Sequence, residues 1–179
     1  MASKPSDVVF VDVETTGLDP EKDSVIQIGV VRTDYTGVEI KDRLSVKVLP
    51  TTQVHPQAAA VNGYTREAWV GASEPLAAAK QLHAISRGAE FAAHCVWFDV
   101  RFCENLLRRN GFTVPWGRRY IDTQTLVHLM RAKDTSMNGT NLQAALESLG
   151  GERSAVHDAA ADAEWARRVY QHVMLTHLA

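Results

Sequence analysis

The sequence predicts a mixed α/β fold, a single sheet with helices on its faces, and three observations lead there. Three β-rich segments follow one another through short turns without a crossover helix, which makes them antiparallel neighbours. Further along, helical patterns alternate with brief apolar strands, the arrangement that covers both faces of a sheet. No linker divides the 179 residues, 45% of them hydrophobic, which suffices for one buried domain and is short for two. Residues 1–179 therefore read as a single domain with a core over about 7–178.

Each element has a local reason. Val8 to Glu14 is rich in β-branched residues and reads as a buried strand, followed by a turn containing Gly17 and Pro20. Ser24 to Asp34 and Val38 to Leu49 are the second and third strands. His55 to Val70 reads as short helical pieces around Asn62-Gly63, and Glu74 to Arg87 as an alanine- and leucine-rich helix ended by Gly88. Ala89 to His94 is a brief fourth strand. Trp97 to Asn110 is a helix with Phe98, Phe102 and Leu106 on one face, closing at Gly111. A fifth strand lies at Arg119 to Ile121, and Asp122 caps the helix that runs to Arg131. Thr140 to Leu149 is a further helix, closed by Gly150-Gly151. The last, Ala159 to Leu178, carries Trp165, Ala166, Val169, Tyr170, Val173 and Met174 at helical spacing, a core stripe.

Composition excludes several classes. A net charge of -2 argues against a broad, nonspecific grip on a phosphate backbone but not against contact with a few nucleotides. Basic residues cluster locally at Arg101, Arg108 and Arg109, at Arg118 and Arg119, and at Arg131 and Lys133, where solvated helix faces are the plain reading. Cys95 and Cys103 are too few for a disulfide framework and read as buried small residues in a reducing compartment, which fits a cytoplasmic location. No stretch is apolar enough for a bilayer span, so no membrane association is expected, and the first residues do not resemble a secretory signal.

The chemistry starts at Asp12-Val13-Glu14. Residues two apart in a strand share a face, so both carboxylates project together from a strand end. Two anions so close need neutralising, and hard divalent cations such as Mg²⁺ or Mn²⁺ would do so. A strand-end acidic pair facing water fits these two residues equally well.

Thr15-Thr16-Gly17-Leu18 follows directly. With it the chain resembles the DnaQ-like exonucleases, whose first motif reads D-x-E-T-T-G-L. Their second motif, a histidine shortly before F-D at a helix start, corresponds to His94-Cys95-Val96-Trp97-Phe98-Asp99. Their third, H-D-A-x-x-D-A, corresponds to His157 through Ala163. The three motifs come in the family's order, each at a predicted strand end or helix start. The resemblance runs from Val8 to about Met174, with Asn62-Gly63-Tyr64-Thr65 and Ile121-Asp122-Thr123 as further landmarks. It implies a ribonuclease-H-like fold, a mixed five-stranded sheet whose second strand is antiparallel to the rest.

The resemblance also implies roles. Asp12 resembles a carboxylate bridging two metal ions, Glu14 and Asp162 ligands of the first, and Asp99 a carboxylate arranging the site. Two ions about 3.5–4 Å apart activate a water and stabilise the departing 3'-oxygen. His157 looks like the general base, suited to that work because histidine titrates near a pKa of about 6.5. Asp158 reads as a helix-start carboxylate facing the dipole. Thr15, Thr16 and Leu18 look like contacts of the terminal nucleotide, with sheet-edge cover as the competing reading for Leu18. Asn62 stands near the substrate cleft, Trp97 is a stacking candidate if it points outward, and Phe98 reads as helix core. Two departures concern nucleotide preference: Cys95 stands where relatives often have Asn, and Asn62 where they often have His.

The activity so implied is metal-dependent 3'-5' exonucleolytic hydrolysis, of single-stranded DNA before RNA, releasing nucleoside 5'-monophosphates. RNA trimming is the alternative among enzymes. A silent exonuclease fold that only binds nucleic acid is the alternative outside them. The expected partners are 3' ends of nucleic acid, a homodimer stays open, and the short segment after the last motif suggests a stand-alone trimming enzyme.

Overall fold

Val8–Thr15 (β1) is buried on both faces and pairs antiparallel with Val25–Thr33 (β2), which pairs antiparallel with Ile40–Lys47 (β3). On its other side β1 pairs parallel with Glu90–Ala93 (β4), and β4 pairs parallel with Tyr120–Asp122 (β5). The sheet order is therefore β3-β2-β1-β4-β5, with β2 against the direction of the rest, as expected. This is a computed structural model, and it describes residues 6–133, 135–151 and 157–177.

The helices are Pro56–Asn62 (α1), Pro75–Ser86 (α2), Val96–Arg109 (α3), Thr123–Lys133 (α4), Leu142–Ser148 (α5) and Ala159–His177 (α6). Observed ends differ from the expected ones by one or two residues in most elements. The largest difference is at 64–71, where turns replace a helical piece, because Gly63 ends α1 in the left-handed conformation (φ 67°). Asp122 ends β5 and also caps α4, its Oδ2 accepting from the Thr125 amide at 3.1 Å.

Alternation along β1 sorts the core. Val9, Val11 and Val13 face α2 and α3, packing with Leu82, Phe102 and Leu107. Val8 and Phe10 face α6, packing with Ala163 and Ala166, while the Phe10 ring lies 5.3 Å from that of Tyr170. Asp12 and Glu14 continue this second face, so the strand points both carboxylates toward the start of α6. The expected stripe on α6 is partly buried: Ala166 and Val169 are fully packed, whereas Trp165 and Tyr170 are half-buried. β3 differs from its neighbours. It is a solvated edge, with Lys41, Asp42, Arg43 and Lys47 exposed, and Lys41 pairs with Asp7 at 2.6 Å.

Gly29 sits opposite Asp12 in the β1–β2 ladder. A Cβ there would lie 2.1 Å from the Ala159 carbonyl oxygen and 2.4 Å from the Ala160 nitrogen. Only a residue without a side chain lets the first turn of α6 rest on the sheet. Gly29→Ala must lift that turn, since the obstructing atoms are backbone. We expect a loss of about 1–3 kcal/mol in stability, as for overpacked cores, seen as a lower urea midpoint at unchanged slope.

Candidate active site

The β1–β4 ladder ends at the Phe10–Ala92 pair. Beyond it the Val13 amide meets Asp99, in the first turn of α3, whose Oδ1 accepts at 3.1 Å. Asp99 thus docks where the sheet opens, and it is 2% exposed. Its carboxyl is pushed well above the usual carboxylate range, first by burial and then by the nearby charges of Glu14 and Asp162, with the Val13 hydrogen bond opposing.

The start of α6 is tied to the sheet from the same side. Asp158 caps the helix, its Oδ1 accepting from the Ala161 amide at 3.0 Å, while its Oδ2 accepts from Gln27 Nε2 at 2.8 Å. One turn later Asp162 reaches the cleft, 3% exposed. His157 is held by its backbone, donating to the Val61 carbonyl at 3.1 Å, and places its Nδ1 4.0 Å from Asp162 Oδ2.

One ligand atom from each of Glu14, His157 and Asp162 lies within 4.8 Å of the others, and Asp12 and Asp99 line the same cleft of about 800 Å³. The structure therefore gathers all five residues singled out in the three motifs. Carboxylate oxygens with one imidazole suit Mg²⁺, Mn²⁺ or Zn²⁺, and the crowded anions disfavour the metal-free state. The donor set fits divalent cations.

The expected substrate contacts divide. Leu18 is 84% exposed at the cleft, which rules out its covering the sheet edge. Thr15 lines the cleft, its Oγ1 donating to the Gly17 carbonyl at 2.6 Å. Thr16 is fully buried instead, its Oγ1 engaged with Asp23 at 3.3 Å, Thr52 at 2.8 Å and the Ser24 amide at 2.9 Å. Its hydroxyl holds the turn. Asn62 also serves the turn, donating from Nδ2 to the Thr15 carbonyl at 3.1 Å, and lines the cleft. Trp97 points outward at 64% exposure and packs on Tyr120 rather than lining the cleft. Phe98, expected in the core, is half-buried and contributes to both core and cleft.

Cys95 is a correction. Expected buried, it is exposed, at φ 66° and ψ 54°, unlike the buried Cys103. It is the one non-glycine residue at positive φ among the described residues. Asp122 Oδ1 fixes this corner by accepting from the Cys95 and Val96 amides, both at 3.2 Å. Although the residue is exposed, partial desolvation of its sulfur at the cleft wall, then the charges of Asp122 and Asp99, raise the thiol's pKa, so it stays protonated. Asn tolerates the left-handed region better than Cys, a backbone reason for the Asn that the family resemblance led one to expect at this position.

Sequence reasoning missed several cleft residues: Asp23, His55, Gln124 and Asn141 line it, and Gln27 braces it from behind. Asp23 is 5% exposed, accepts from the Asp19 amide at 2.9 Å and lies 3.5 Å from His55 Nε2. A Cβ at Gly17 would meet its carboxylate at 2.4 Å, so the T-T-G-L turn folds around Asp23. Nothing in a lone aspartate after a turn announced that.

The sheet order with its reversed β2 defines the ribonuclease-H-like class. Within that class the chain belongs to the RNase T exonuclease family, a DnaQ-like group, which it matches over residues 9–170. It is 26% identical over 162 residues to the PolC-type DNA polymerase III of Thermotoga maritima and 29% identical over 168 residues to the 3'-5' exonuclease DinG of Bacillus subtilis. Those matches cover 90% and 93% of this chain but 11% and 17% of the relatives, so the chain spans a small part of their length. Among solved structures, the zinc-bound complex of Escherichia coli exonuclease I with single-stranded DNA superimposes with a TM-score of 0.81 at 22% identity, covering 98% of this chain and 42% of that one.

Two outcomes follow from this geometry. Because the Asp99 carboxyl titrates above its ordinary value of 3.8 in the folded state, its protonated form favours folding. In chelator, that contribution is complete below about pH 4 and is lost as pH rises through the elevated pKa. The melting temperature of the metal-free protein should fall across that window, and Asp99→Asn should flatten the fall. Cys95→Asn should relieve backbone strain and raise stability by about 0.5–1 kcal/mol, measured by thermal melting at fixed pH.

Proposed function

We propose that this chain is a metal-dependent 3'-5' exonuclease that removes nucleotides singly from single-stranded DNA ends and releases nucleoside 5'-monophosphates. The observation that carries this reading is the convergence of Glu14, His157 and Asp162 within 4.8 Å, beside Asp12 and Asp99, in one open cleft. Where carboxylates from β1, α3 and α6 meet, their mutual repulsion opposes the arrangement unless cations are held between them.

In this reading Asp12, Glu14, Asp99 and Asp162 hold two Mg²⁺ or Mn²⁺ ions. When bound, such ions acidify a water and stabilise charge on the scissile phosphate and the leaving oxygen. His157, half-exposed at the cleft wall, takes the proton from the attacking water. A bond forms from that water oxygen to phosphorus, the bond from phosphorus to the 3'-oxygen of the preceding nucleotide breaks, and that oxygen takes up a proton. Leu18, exposed at the cleft, and the Thr15–Gly17 backbone meet the terminal nucleotide. Asn62 shapes that pocket through Thr15, and Thr16 acts from beneath it.

DNA is favoured by the T-T-G-L turn and by relatives named as DNA polymerase III components, including the epsilon subunit of Treponema pallidum, 31% identical over 91 residues. A second reading, RNA trimming, is favoured by a stretch of 53 residues that is 38% identical to an oligoribonuclease of Tropheryma whipplei. Carboxylate-held cations polarise a phosphate of either sugar, so the sugar must be read by the walls of the cleft.

A time course on matched DNA and RNA oligonucleotides, single- and double-stranded and labelled at the 5' end, separates these readings. Single-stranded DNA should shorten fastest, one nucleotide at a time, in Mn²⁺ or Mg²⁺ and not in chelator. Asp12→Ala should lower the rate by at least about 1,000-fold, an electrostatic loss of roughly 4 kcal/mol or more, with folding intact. Undiminished cleavage in that variant would discard the metal assignment, and faster loss of RNA would select the second reading.

A further inference from the structure

In the exonuclease reading the cleft of about 800 Å³ takes the reacting 3' end, and the rest of a single strand must leave it somewhere. We infer that the strand upstream of the terminal nucleotide runs from the cleft across the β5 edge, stacking a base on Trp97 and setting phosphates against Arg101 and Arg118. This rests on the exonuclease reading and extends it from the reacting end to the body of the substrate.

Trp97 lies between Cys95 and Phe98, both of which line the cleft, yet it turns away from it. It is 64% exposed and the most exposed large aromatic ring of the described chain. Burial does not explain the position, since an indole left this open forgoes most of its hydrophobic gain. It is nevertheless held in place. Its ring lies 5.4 Å from that of Tyr120, which leans on Phe91 and donates from its hydroxyl to Glu104 at 3.4 Å. A fixed, open aromatic face beside a nuclease cleft suits a base, because every base has a π-face and stacking needs no sequence match.

Charge runs the same way. Arg101 is one helical turn beyond Trp97 and shares its face of α3. Arg118 and Arg119 immediately precede Tyr120. All three are exposed, and Arg101 and Arg118 form no ion pair or hydrogen bond among the described residues, whereas Arg119 approaches Glu90 at 3.6 Å. In a chain of net charge -2, unpaired arginines beside an open indole are a local anion-attracting strip. β5 is three residues long, so Arg119 stands only about 10 Å from the Asp122 corner beside Cys95. The strip thus leaves the cleft at the Cys95–Asp122 corner, passes Trp97 and runs down the β5 edge to Arg118 and Arg119, which line a separate hollow with Ser6, Gly88 and Tyr170 at the far end of the strand.

The test is binding without turnover. Fluorescence anisotropy of 5'-labelled dT2 and dT10 is measured in Ca²⁺ over a salt series, alongside a separate cleavage assay in Mn²⁺. For Trp97→Ala we expect dT10 affinity to fall about tenfold, with Trp97→Tyr restoring most of it. The double variant Arg101→Gln/Arg118→Gln should weaken dT10 and lower the slope of log K against log salt by about 1.4, two phosphate contacts on a single strand. Arg66→Gln, on the loop after α1, should leave that slope unchanged. Melting curves check that each variant folds. If the wild type cleaves but these variants bind dT10 with unchanged affinity and slope, the β5 route is wrong and the exonuclease reading stands. If the wild type neither cleaves nor binds, both fall.

Discussion

The contact on which the rest of this site depends is the seating of the first turn of α6 on β2. Two features permit it: the missing side chain of Gly29 and the hydrogen bond from Gln27 to the cap residue Asp158, which joins positions 131 residues apart. Gln27 and Gly29 are the ladder partners of Glu14 and Asp12. The strand that anchors the helix is thus the neighbour of the strand that supplies the first two carboxylates. Registry within the sheet thus sets how far Asp162 and His157 stand from Asp12 and Glu14.

Asp99 enters by a different device. The sheet parts beyond Phe10, and the backbone amide left over there is met by a side chain. Burying that carboxyl beside Glu14 and Asp162 sets like charges against one another, which bound divalent cations would relieve. The corner delivering it is held by Asp122 and bent through a residue at positive φ. Carboxylate geometry here is maintained by backbone and second carboxylates, and the cleft bears the energetic cost of its own readiness.

Much of this was legible in the sequence, for identifiable reasons. Alternation in Val8 to Glu14 assigned Asp12 and Glu14 to one face, and the three motifs placed Asp99, His157 and Asp162 at helix starts. What escaped was information held in contacts between distant segments. The burial of Thr16 depends on Asp23, Ser24 and Thr52, and no period of two or 3.6 encodes that meeting. Cys95 was misplaced because burial statistics for free cysteine ignore backbone conformation, which here lifts the residue into the open at a helix start. The direction of Trp97 was left open by the sequence, and its partnership with Tyr120 joins two elements that sequence spacing leaves unrelated.

The charged β3 has a consequence for behaviour in concentrated solution. Open strand edges invite other chains to add to the sheet, the first step of amyloid-like growth. Here the long flank presents Lys41, Asp42, Arg43 and Lys47 to water, and Arg43 and Lys41 are tethered to Glu164 and Asp7 at 3.0 and 2.6 Å. An incoming strand would have to strip those side chains of hydration and counter-charge before its first backbone bond formed. The opposite flank offers only three residues, too few to template a lasting pairing. The sheet is thereby insulated at both margins, and its hydrophobic interior can remain rich in valine and isoleucine without making the protein sticky.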